Sequence, residues 1–154
     1  MSEKIIENWN QVVEHDDIVF HVGDVSWKDY ILTKMVLDRL NGIKFLAIGN
    51  HDFHMKKLDG YFEQMRKSYL IKVANQLIFL SHQLTDNWPE AENGSWHLFG
   101  HSHGKRNNYA ETNGKLLDVG VDSHDFRPWS LEEVAQVMAT RPLNFNDLRR
   151  RRFK

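Results

Sequence analysis

Apolar residues recur every three to four positions at the start of the chain (Ile5, Ile6, Trp9, Val12, Val13). That is one face of an amphipathic helix, with Ser2 placed to cap it. The period then shortens. Asp17–Asp24, DIVFHVGD, is a nearly continuous apolar run closed by Gly-Asp and predicts a buried strand. A second helical period sets Ile31, Leu32, Met35, Val36 and Leu40 on one face, with Gly42 as its expected C-terminal cap. Ile43–Asp52, IKFLAIGNHD, is again strand-like and runs into Gly-Asn-His-Asp. Helix alternating with strand predicts an α/β sheet built with crossovers.

Leu58–Met65 predicts a short helix, after which strands dominate. Tyr69–Val73 and Leu77–His82 flank a short Ala-Asn-Gln connection and read as a hairpin, and Ser95–His101 is a further strand. Residues around Tyr109 and Leu116–Val119 flank Asn113-Gly114, the strongest short hairpin signal in the chain. Ser130 and Glu133 form a capping box that opens a last helix ending near Ala139. The polar loop Gln83–Gly94 carries Trp88 at its middle, as a wall for a substrate or as the pin of its own loop. The expected organisation is one domain over 1–140, then a tail over 141–154 that ends in LRRRRFK, a solvated end or a phosphate-contacting patch.

Composition narrows the chemistry. The chain has no cysteine, so disulfides, catalytic thiols and thiolate metal sites are all excluded. Its formal net charge is −1, so nucleic acid stays open as a partner without support from the overall charge. No apolar run is long enough for a membrane span and the first residues carry no signal-peptide core, so a cytoplasmic protein is expected. Nine histidines are many for 154 residues. Any metal must sit on oxygen and imidazole ligands.

Four segments share one design, a buried strand delivering polar residues at its C-terminal end: Gly23-Asp24, Gly49-Asn50-His51-Asp52, Ser81-His82 and Gly100-His101-Ser102-His103. Ligands gather at such strand ends in α/β sheets. Singly each is an ordinary turn or a buried histidine; in this order they bring together Asp, Asn and His donors suited to Mn, Fe, Ni, Zn or Mg.

The succession GD, GNHD, SH and GHSH resembles the calcineurin-like metallophosphoesterases, and stretches such as VFHVGD, NWPEAENGSWHLFGHSHG and VGVDSHDFRPWSLEEV resemble their small prokaryotic and phage branch. The resemblance implies mixed sheets packed between helices in a four-layer α-β-β-α sandwich. It implies hydrolysis of phosphodiesters or phosphomonoesters by a hydroxide held between two divalent metal ions, with Mn expected. Asp24 would bridge the metals; Asn50, His82 and His101 would complete one site, and His103 would belong to the other. His51 would stand beside them as general acid or as a stabiliser of the leaving oxygen. Asp52 and Asp122 would orient the histidines.

One departure matters. The family opens with a strand carrying Asp-x-His, and this chain starts inside what resembles the following helix. About 25–30 residues, one strand and its connection, would then precede Met1. The other reading is a shortened member with one weak metal site, acting as a binding or scaffold subunit. Either way a sheet edge is expected to lie open, to be covered by a rearrangement, a second copy or a strand of another chain. Substitute ligands would come from His54 or His124; His21 is expected in the core or behind the site, His15, Asp16 and Asp17 in a turn, and His97 facing away from the metals.

Overall fold

A computed structural model of the chain describes residues 2–25, 29–52 and 55–143. α1 (Ser2–Asn10) leads into β1 (Ile18–His21), α2 (Tyr30–Leu37) and β2 (Ile43–Ala47). A one-turn helix, α3 (Met55–Leu58), and β3 (Gln64–Arg66) follow. Then come β4 (Ser68–Val73), β5 (Gln76–Ser81), β6 (Trp96–Phe99), α4 (Asn107–Asn113), β7 (Leu116–Asp118) and α5 (Leu131–Thr140). β1, β2 and β3 form a parallel sheet in that order. The second sheet has the order β4-β5-β6-β7, antiparallel between β4 and β5 and parallel beyond. The fold is mixed α/β with two sheets and helices, as the alternating patterns require.

Alternation along each strand sorts its side chains between two clusters. Phe20 and Val22, Phe45 and Ala47 meet Ile78 and Leu80, Trp96 and Leu98, and Leu117 in one core between the sheets, closed by Val134 and Met138 of α5. Leu46 points the other way, to Leu37 of α2 and Leu58 of α3. Phe79, Phe99 and Leu116 likewise turn to Trp88 and to Ala110 of α4.

Four local expectations are corrected. α2 is capped at Asp38, and Gly42 (φ +93°) instead turns the chain tightly against Val13 and Val19 before β2. The buried face of α2 is Thr33 and Leu37; Ile31, Leu32 and Met35 are exposed. Gln64–Arg66 is not helical, because its backbone pairs with β2 from Phe45 to Ala47. Asn113-Gly114 does not turn a hairpin: Asn107–Asn113 is helical and β7 pairs in parallel with β6. The hairpin at Ala74-Asn75 does form, both residues left-handed (φ +48° and +68°) as a two-residue turn requires. The capping box of Ser130 and Glu133 is present.

β1 ends the parallel sheet, and among the described residues nothing pairs with its other edge. A cleft of about 1500 Å³ runs along it, lined by apolar residues such as Trp9, Val19, Ile78 and Val134. Val12 and Ile18 remain exposed there. The cleft becomes polar at one end, at Asp24, His101, His103 and Asp122.

Candidate metal centre

The strands β1, β2, β5 and β6 all end at one place, and the residues just past them are Asp24, Asn50, His82 and His101. Two glycines let the ends approach. A Cβ on Gly49 would lie 2.3 Å from Asp24 Oδ1 and 2.4 Å from its backbone nitrogen. At Gly23, with φ +96°, a Cβ would lie 2.5 Å from His82 Nδ1. The buried Asp52 clasps the same two turns, accepting hydrogen bonds from Gly49 N at 2.7 Å, Val25 N at 2.8 Å and Asp24 N at 3.1 Å. Its carboxylate therefore orders backbone rather than orienting a histidine as the sequence predicts. His51 donates its backbone N–H to Asp24 Oδ1 at 2.9 Å.

The imidazole of His82 is the centre of the cluster and is buried. Its Nδ1 lies 2.8 Å from the carbonyl oxygen of Val22, which can only accept, so Nδ1 carries a proton. Nε2 of the neutral ring then presents a lone pair. It faces Asn50 Oδ1 at 2.8 Å, His101 Nδ1 at 3.0 Å and Asp24 Oδ2 at 3.2 Å. The ligand atoms of Asp24, His82 and His101 all lie within 4.8 Å of one another. Such a gathering of lone pairs calls for a positive centre, a second proton on imidazole or a cation. Separations near 3 Å are those of neighbouring ligands about 2.1 Å from a shared ion, so the donor set fits a divalent metal.

His101 and His103 stand in the loop after β6, and both have left-handed backbones (φ +62° and +47°), as has Asp24 (φ +56°). Non-glycine residues seldom adopt that conformation, and they collect at functional sites. His103 is not in the cluster: it is half exposed and its Nδ1 pairs with Asp122, as expected for that acid. It shares the polar end of the cleft with Asp24. His21 lies behind the cluster with its buried Nδ1 lacking a hydrogen-bond partner. Burial lowers its pKa, partly offset by Asp52 and Asp24.

The remaining candidates separate from the site. His124 stacks on Trp129, ring centroids 3.6 Å apart. His97 is fully buried on β6 with Nε2 2.9 Å from Ser81 Oγ, facing away from the cluster as expected. Asp17 accepts from Glu14 N in the turn between α1 and β1. Trp88 is buried and donates Nε1–H to Ser95 Oγ, so it pins its loop. His54 and the basic tail Arg149–Arg152 lie outside the described residues. Asp118 at the end of β7 was not anticipated. Its carboxylate is buried and accepts from Ser102 Oγ, Gly104 N and Gly120 N. An acid inside the apolar run Leu116–Val119 was the available signal.

Among the described residues no helix is long and apolar enough to cross a membrane. No family model matches the chain. It is 26% identical over 143 residues to the uncharacterized protein MJ1445 of Methanocaldococcus jannaschii, covering 90% of this chain and 75% of that one. The crystal structure of a protein of unknown function, AQ665 from Aquifex aeolicus, superposes with a TM-score of 0.70 at 24% identity. That similarity covers 88% of this chain and 84% of the other, and it bears on the fold alone.

Proposed function

We propose that this chain carries the metal site of a phosphoesterase of the calcineurin-like type, and that Asp24, Asn50, His82 and His101 hold one divalent cation, manganese first among the choices. The observation that carries the reading is the lone pair of His82 Nε2 aimed at two oxygens and a second imidazole nitrogen. Two sheets with a shared core and helices on their other faces are in keeping with the four-layer sandwich. A bound divalent ion would polarise a phosphoryl oxygen and draw off its charge during hydrolysis. The protein's own contribution is placement. The Val22 carbonyl fixes the tautomer of His82, and the His51 N–H turns the Asp24 carboxylate toward the cluster. The His51 imidazole, in the turn after β2 whose own N–H reaches the Asp24 carboxylate, is the candidate donor of a proton to the leaving oxygen.

In this reading the apolar cleft beside β1 is the place of a further strand, which would bring ligands to the metal on the His103 side. One observation favours the second reading, a binding or scaffold protein with one weak metal: Asp24, Asn50 and His101 gather around His82, while His103 pairs with Asp122 away from them. Metal stoichiometry after equilibration with Mn²⁺ and desalting, read beside hydrolysis of a chromogenic phosphodiester, tests both. Turnover supports the esterase. One Mn²⁺ per chain without turnover supports the binding protein, and a chain that retains no metal refutes both.

A further inference from the structure

We infer that Asp118 is the positioning residue of the His101–His103 loop, setting the direction of the His101 imidazole toward the metal centre and of the His103 imidazole toward Asp122. The inference rests on the metal-site reading above for its consequence, though not for its geometry. The loop Gly100–Gly104 is held at one point from the β7 side. Oδ2 of Asp118 accepts the hydroxyl of Ser102, which stands between the two histidines, and also the N–H of Gly104 at 3.1 Å. Oδ1 accepts from Gly120 N at 2.9 Å, tying the same carboxylate to the turn that carries Asp122. Asp122 in turn pairs with His103 Nδ1. One buried group, 2% exposed, thus joins the His101 loop to the Asp122 turn.

The loop needs such a hold. Left-handed backbones at His101 and His103 persist only where the surroundings over-determine them. The loop's own bond is a single turn, Ser102 N to Gly100 O, followed by Lys105 N to Ser102 O. Remove the Asp118 acceptors and three donors lose their partner, while the imidazoles gain freedom to swing away from His82 and Asp122. Groups one bond removed from metal ligands typically change metal affinity by about 10- to 100-fold when replaced.

The test compares wild type with Asp118→Asn, which keeps the shape and one acceptor oxygen, and with Ser102→Ala, which removes one of the three donors. Leu117→Ala, a buried neighbour in the core between the sheets, controls for loss of stability alone. Two readouts are taken below the melting temperature of every variant: Mn²⁺ affinity by electron paramagnetic resonance, and the imidazole NMR signals of the metal-free protein. The expected result is Mn²⁺ affinity lowered by about 10-fold or more in Asp118→Asn and by less in Ser102→Ala. Signals of His101 and His103 shift while those of His97 stay, and Leu117→Ala binds as wild type. Unchanged affinity and unchanged imidazole signals in Asp118→Asn overturn the inference. If wild type binds no Mn²⁺ but Asp118→Asn still moves the His101 and His103 signals, the positioning role stands and the metal reading fails.

Discussion

Nδ1 of His82 lies 2.8 Å from the main-chain oxygen of Val22, a bond that joins the end of β5 to the end of β1 and turns the ring's lone pair toward Asp24 and Asn50. The ring is therefore already oriented as a cation ligand would be. Adding Mn²⁺ at about a hundredfold excess over its dissociation constant should raise stability by about 2.7 kcal/mol. For a domain of this size that is a rise in melting temperature of roughly 5–10 °C, reversed by chelator. His82→Ala and Asn50→Ala should each shrink that rise. A full-sized rise in both variants would place the cation elsewhere.

Asp52 serves three backbone donors on two turns at once. Asp52→Ala leaves Asp24 N, Val25 N and Gly49 N without their acceptor inside a buried corner, at a cost of roughly 3–5 kcal/mol, with Mn²⁺ binding falling in step. Urea denaturation measures the first and elemental analysis the second. A loss below about 1 kcal/mol would mean that water replaces the carboxylate without penalty.

Gly49 sits where any side chain would enter the Asp24 carboxylate. Gly49→Ala should destabilise the fold by about 2–4 kcal/mol and displace Asp24 from His82. Gly60, beside which a Cβ would meet nothing within 4 Å, is the matched control and should tolerate alanine. Equal effects at the two positions would contradict the close approach of β1 and β2 at their ends.

His97 is buried without charge, and burial pushes its pKa down to about 4. The unfolded chain binds a proton there near pH 6.5. Between those values the unfolded state holds more protons, so stability falls as the pH drops from about 6.5 toward 4 and is constant above that window. At pH 5 the loss amounts to about 2 kcal/mol. His97→Phe should flatten that acid slope, whatever it does to stability at neutral pH. Urea midpoints at pH 7 and pH 5 for both proteins decide it; an unchanged slope would assign the acid sensitivity to other groups.

The sequence announced what depends on neighbours along the chain. The Ser130–Glu133 box, the hairpin at Ala74-Asn75 and the polar residues ending each apolar run are set by backbone sterics and local hydrogen bonds, and all are present. What depended on distant partners was harder to read. Gln64–Arg66 is a strand because β2 offers its edge, and Asn113-Gly114 follows a helix because Ala110 packs on Phe99 and Leu116. On α2 the apolar spacing sets Ile31, Leu32 and Met35 on one face, yet Leu37 and Thr33 face inward, since hydrophobic spacing does not say which side meets a sheet. At the site, strand ends and residue types pointed to Asp24, Asn50, His82, His101 and His103 together, and the family resemblance set the first four around one metal. Asp122 as a partner of a histidine was legible too, but that Asp118 holds the loop was not, because it depends on a strand far along the chain.

Asp24 and Asn50 follow strands of the parallel sheet, whereas His82 and His101 follow strands of the other one. A cation held by all four would cross-link two layers that adhere mainly through apolar side chains. Such an ion would be gripped only once the layers have docked. Its free energy therefore acts mainly on the rate at which the sheets part, lengthening the lifetime of the native chain while leaving the speed of folding nearly unchanged.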